Sequence, residues 1–193
     1  MGWVRLMRFW RACSPLPPKV GSLSGTLLSA SARMLIFRGA PYDLPNHPQM
    51  LGLAIAFNAL ASGLVMMVAP IENFVLRVGY YLLFTLALNW VYVRLRSVPE
   101  RWQQTVAALL ATDALITVLA TPLYAYAERI TQAGGTPGPD FQFMLLGLVL
   151  WGAVVAGNIY RHALGFSWPV ALGISFASTL LSIFTSALLF ADA

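Results

Sequence analysis

The chain has 193 residues, 59% of them hydrophobic and only 10% charged, with a formal net charge of +5. A soluble domain carries about 25% charged residues, so a water-soluble globule is excluded; the apolar residues sit in blocks about 20 long, enough to cross ~30 Å of hydrocarbon. One cysteine, Cys13, excludes an intramolecular disulfide and a cysteine-based zinc site.

The expected fold class is all-α, an integral membrane bundle of five transmembrane helices. A membrane β-barrel would show short alternating segments instead. Residues 1–33 form a basic leader that opens "MGWVRLMRFWRACSPLPP". Three readings stand for it. It is a surface-lying amphipathic segment with Trp3, Leu6, Met7 and Trp10 at helical spacing; it is a targeting peptide, rich in Arg and Ser and free of acids; or it precedes a true start at Met34. No structure is expected over residues 13–32.

Residues 34–48, "MLIFRGAPYDLPNHP", form a proline-rich cytoplasmic approach to the first span. Proline cannot donate to a helix ladder and disfavours the α conformation in the residue before it. The stretch is therefore expected to stay extended along the membrane interface until Pro48, which suits a helix's first turn. Asn46 is the expected N-cap. Arg38, Pro41, Asp43, Pro45, His47 and Pro48 make this segment a candidate partner-binding surface. Asp43 and His47 alone are too few for a metal site.

Five spans follow within residues 49–190, at approximately 49–69, 73–93, 103–127, 141–160 and 168–190. The "PIEN" turn between the first two makes them antiparallel neighbours. Lysine and arginine concentrate on the cytoplasmic side of membrane proteins. Arg5, Arg8, Arg11, Lys19, Arg33 and Arg38 precede the first span; Arg94, Arg96 and Arg101 lie between the second and third; Arg161 and His162 lie between the fourth and fifth. With five crossings all of these share one face. The expected orientation is N-terminus cytoplasmic and C-terminus outside, in a bacterial inner membrane. Trp90, Tyr92, Trp102, Tyr124, Tyr126 and Trp168 fall at span ends, where amphipathic rings favour the headgroup layer.

Asp113 is the sharpest single residue. Ten positions into its span it lies ~15 Å deep, near the bilayer centre, where a carboxylate costs ~2.5–3.5 kcal/mol and must face the bundle or a wet cavity. Asn58, Ser178 and Thr179 fall at the same level. The expectation is a buried polar layer of Asp113, Asn58 and Thr179, with Arg77 reaching inward as a counter-ion. The bland alternative is a protonated Asp113 that bonds a neighbouring helix. A second layer nearer the cytoplasm joins Asn89 and Asn158. Small residues mark packing seams: Gly152 with Ala156, Ala153 with Gly157, Ala59 with Gly63, and a Ser/Thr stripe (Ser175, Ser178, Thr179, Ser182, Thr185, Ser186) in the last span. "GGTPGP" lacks the Lys-Ser/Thr of a phosphate-binding loop, and no Gly-x-Ser-x-Gly elbow occurs.

With its approach "RMLIFRGAPYDLPNHP" over residues 33–48 and five spans over 49–190, the chain resembles the Yip-type family of five-span membrane proteins, in a bacterial form. The "RGxPxDLPxxP" stretch is also similar to small inner-membrane proteins of proteobacteria. The resemblance implies a five-span bundle with a cytoplasmic N-terminus, and eukaryotic relatives that interact with Rab GTPases in vesicle traffic; it carries over no functional residues. The functional expectation is a non-enzymatic scaffold or accessory protein without cofactors. Its partners are the lipid bilayer and itself or other membrane proteins, not nucleic acid, since no folded basic domain presents a patch. The alternative is a small transporter or ion- or proton-conducting protein that uses Asp113.

Overall fold

The computed structural model describes residues 20–70 and 72–190. The amphipathic reading of Trp3, Leu6, Met7 and Trp10 lies outside the described residues, as does Cys13. Among those described there are six α-helices and no strand: α1 Val20–Leu35, α2 Pro48–Val68, α3 Phe74–Leu95, α4 Trp102–Gln132, α5 Pro139–Leu164 and α6 Trp168–Leu189. The last five are long and apolar enough to cross a membrane. The chain is a multi-pass membrane protein.

α4 is the axis of the bundle. Residues 105–112 are all buried, so the helix is enclosed on every side, and α1, α2, α3 and α5 all pack against it. Its sequence there, "TVAALLAT", explains why. In lipid there is little hydrophobic drive between helices, and close backbone approach through small residues supplies the dispersion instead. α2 meets α4 along Met50, Ala54, Asn58, Ala61 and Val65, all buried and spaced four, four, three and four apart, one stripe of a 3.6-residue helix. α6 meets α5 where Gly157 lies: a β-carbon there would come within 2.9 Å of Leu172 Cδ2 and 3.3 Å of its Cα. Ser175 Oγ locks that seam by donating to Ala153 O at 2.6 Å. α3 packs against α4 and α6 far less extensively.

The helix ends follow local chemistry. α3 closes with Ser97 in the left-handed region (φ 55°) while Val98 N donates to Val93 O at 2.9 Å; α4 closes likewise with Gly134 at φ 78° and Gly135 N donating to Ile130 O. This is the six-to-one closure that satisfies the last free carbonyls. α5 also ends on a left-handed residue, Gly165 (φ 67°), whose N donates to Arg161 O at 3.1 Å, and two arginines take further carbonyls: Arg96 Nε donates to Leu164 O at 3.1 Å and Arg101 Nη1 to Ala163 O at 2.9 Å. Two of the arginines that mark the basic loops therefore also hold the negative end of a helix dipole.

Four expectations need correction. Residues 13–32 are not structureless throughout. From Val20 they form α1, whose Leu23, Leu27, Ala30, Ser31 and Met34 are buried, and this helix runs without a break across residue 33. The approach to α2 is not extended throughout: Pro41–Asp43 forms a 3-10 turn, and Ala40, Pro41 and Leu44 are buried. The N-cap of α2 is His47, not Asn46. His47 Nδ1 accepts from Gln49 N at 3.2 Å, while Asn46 Nδ2 donates across to Glu100 O at 3.3 Å. The Ala59–Gly63 spacing is no seam, since Ala59 is exposed and a β-carbon on Gly63 would meet nothing within 4 Å.

Candidate functional site: an acid facing a central cavity

α2 and α4 both start at the basic end, so equal residue offsets give equal depths. Asn58 is ten residues past Pro48 and Asp113 eleven past Trp102, which sets both ~15 Å in at ~1.5 Å per residue. The two meet there. Asn58 Nδ2 donates to Asp113 Oδ2 at 2.9 Å and to Leu110 O at 3.2 Å. Asn58 is buried, whereas part of the Asp113 side chain remains open.

What Asp113 opens onto is a cavity of about 760 Å³ between α3, α4, α5 and α6, with Ser62 and Val65 of α2 also on its wall. Its walls combine aliphatic and aromatic side chains with the inner hydroxyl face of α6 (Ser175, Ser178, Thr179, Ser182). The Tyr81 hydroxyl lies against the Asp113 carboxylate, and Tyr124 lines the cavity farther from the basic end. Nothing in the spacing of residues singles out Tyr81. The available signal is general: a tyrosine buried in mid-span needs a partner for its hydroxyl.

The remaining candidates are placed as follows. Thr179 lines the cavity with Asp113, but its hydroxyl donates to Ser175 O at 3.0 Å within its own helix. Arg77 does not reach inward as a counter-ion. Its Nε donates to Glu72 O at 3.2 Å and its guanidinium stacks 4.7 Å from the Phe190 ring centroid, at the end of the bundle opposite the basic loops. A long cationic side chain near a span end turns to the interface because the charged head stays hydrated there. Asn89 and Asn158 are both buried, yet they do not bond each other. Asn89 Nδ2 donates to Thr85 O at 2.8 Å, and Asn158 O pairs with His162 Nδ1 at 2.8 Å. Asn89 belongs to the cavity wall.

The approach segment closes the basic end. Asp43 Oδ2 accepts from Ala40 N at 3.1 Å and Gln104 Nε2 donates to Leu44 O at 2.8 Å. Pro41 lines a small cleft with Tyr42, Arg101 and His162, and the Tyr42 and His162 rings meet edge to face at 6.3 Å. Pro45 O accepts from His47 N at 2.9 Å and Pro48 opens α2. Arg38 is exposed, its backbone N donating to Arg33 O at 2.8 Å. Asp43 and His47 thus serve as backbone acceptors that set a turn and a helix start.

Trp90, Trp102 and Trp168 gather at this same end. Trp90 and Trp102 pack edge to face at 5.8 Å, Arg94 stacks 4.4 Å from Trp90, and Arg161 sits 5.8 Å from Trp168. Such pairs hold guanidinium groups at the level of amphipathic rings. Comparison with protein families, with curated proteins and with solved structures gives no match to this chain.

Proposed function

We propose that this multi-pass membrane protein is a small transporter that carries its solute through the central cavity, with Asp113 as the charge that meets it. One observation supports this above the others: a carboxylate at mid-depth, held by Asn58 and with the Tyr81 hydroxyl against it, still borders about 760 Å³ of space. A purely structural acid needs no such space beside it. An intramembrane acid beside a cavity is the usual arrangement of an ion or solute pathway, and the volume falls in the range of small-molecule sites. The scaffold reading draws on the approach segment, whose apolar residues Pro41 and Leu44 are turned into the bundle instead.

In this reading the basic end faces the cytoplasm and α6 ends outside, as the arginine distribution implies. The membrane is then the inner membrane of a bacterium, in keeping with the resemblance carried by residues 33–48. The test uses purified full-length protein in liposomes loaded with a pH-sensitive dye. The wild type dissipates an imposed proton gradient, and Asp113→Asn, which keeps the side-chain shape, abolishes the flux while expressing to the same level. A wild type no leakier than protein-free liposomes, or a variant that conducts equally, overturns the proposal.

A further inference from the structure

We infer that the cavity selects an organic cation with an apolar body; this rests on the transporter reading in placing Asp113 at the solute. Asp113 is the sole acid on the cavity wall among the described residues, and no cation faces it. A hydroxyl has one proton to give. Among the hydroxyls that line the cavity, Thr112 donates to Ala108 O at 2.8 Å, Ser175 to Ala153 O at 2.6 Å, Ser178 to Ile174 O at 2.7 Å and Thr179 to Ser175 O at 3.0 Å. Each of these four protons is committed to a backbone carbonyl and is not offered to a ligand.

Asn89 is likewise engaged, its amide donating to Thr85 O at 2.8 Å, and is itself buried. Asn58 commits its amide hydrogens to Asp113 and Leu110 O. Arg77 is the sole basic residue on the cavity wall among those described, and it stands at the far end, engaged with Glu72 O and Phe190. The hydroxyls of Thr117, Ser182 and Ser186, and those of the tyrosines, keep protons to offer, but all are neutral. The interior is thus a carboxylate among neutral groups without a facing cation. An acid held away from water is costly, and a ligand carrying positive charge offsets that cost. An anion finds no opposite charge here, and discrimination of this kind comes as much from what is rejected as from what is bound.

Size and lining decide between a bare metal ion and an organic cation. A cavity of about 760 Å³ walled by Phe84, Leu88, Leu109 and Ile116 far exceeds a monovalent ion and offers apolar surface that such an ion cannot use. Tyr81 and Tyr124 also line it, and aromatic rings attract a cation within ~6 Å of their faces.

The test measures equilibrium binding of radiolabelled tetraphenylphosphonium to the full-length protein in lipid nanodiscs. Tetraphenylborate, its anionic isostere, is the control. The expected result is saturable phosphonium binding, at least about tenfold weaker binding of the borate, and about tenfold loss in Asp113→Asn, equivalent to ~1.4 kcal/mol. Ile116→Trp fills part of the apolar wall and leaves Asp113 in place; it weakens phosphonium several-fold, so the inference stays testable if Asp113→Asn fails to fold. Equal affinity for the two isosteres, with both variants unchanged, overturns the inference. Displacement of phosphonium by sodium or potassium chloride, but not by choline chloride, overturns it in favour of a metal ion. Proton flux without phosphonium binding overturns this inference and leaves the transporter reading standing; binding without flux does the reverse.

Discussion

The contact between Asn58 and Asp113 has a measurable energy. Asn58→Ala deletes two hydrogen bonds, to Asp113 Oδ2 at 2.9 Å and to Leu110 O at 3.2 Å. Leu110 lies within α4, so its carbonyl already serves the helix ladder and loses little. The bond to the carboxyl carries the cost. Side-chain hydrogen bonds between membrane helices average ~0.6 kcal/mol and reach ~1.7, and a charge-assisted partner belongs at the upper end. The expected coupling is therefore about 1–2 kcal/mol. A double-mutant cycle of Asn58→Ala and Asp113→Ala isolates it, read from unfolding equilibria in mild detergent titrated with dodecyl sulfate. Asp113→Asn is the wrong second substitution for this purpose, because its amide oxygen still accepts from Asn58. A coupling below ~0.4 kcal/mol, the level at which separate sites add, would refute the claim that the two side chains form one polar layer.

Other consequences concern packing and helix ends. Gly157→Val forces a branched side chain against Leu172 and the α6 backbone and lowers stability by about 1–3 kcal/mol. Ala59→Leu, at the same kind of small-residue spacing but on an exposed face, changes stability by less than ~0.5 kcal/mol; the same detergent titration separates them, and equal effects would contradict the seam assignment. Arg96→Ala and Arg101→Ala each remove one bond to the carboxyl end of α5. The expected cost is about 0.5–1 kcal/mol each, with faster amide exchange at the end of α5 as the local readout. Leu27→Asp puts an unpaired carboxylate into the face that α1 turns to α4. It should release α1 to added protease without unfolding the five spans, and a chain as protected as the wild type would show that α1 does not dock there.

The five spans were legible because a helix in lipid must satisfy every backbone group internally and be long enough to cross, so length and hydropathy suffice. Depth was legible for Asn58 and Asp113 because α2 and α4 enter from the same end and ~1.5 Å per residue converts offset into level. Direction was not. Arg77 sits where its guanidinium can turn outward, and residue spacing does not say which way a long side chain goes. The hydroxyl stripe of α6 was visible as one face, but spacing alone cannot tell a face packed on a helix from one that lines a gap. α1 was missed although Leu23, Leu27, Ala30 and Met34 repeat at four, three and four. Its apolar stripe is the most strongly one-sided among the described helices, but it lies in a Ser-, Pro- and Arg-containing stretch whose composition reads as a leader.

The exposure of Asp113 to the cavity is tested most directly by dicyclohexylcarbodiimide, an apolar reagent that modifies carboxyl groups in water-poor surroundings. The folded protein in lipid is treated, digested, and mapped by mass spectrometry. The expected result is modification at Asp113, slowed by tetraphenylphosphonium. Reaction at Asp113 only after unfolding would contradict it, since the carboxyl would then be sealed by its neighbours and the cavity would not reach it.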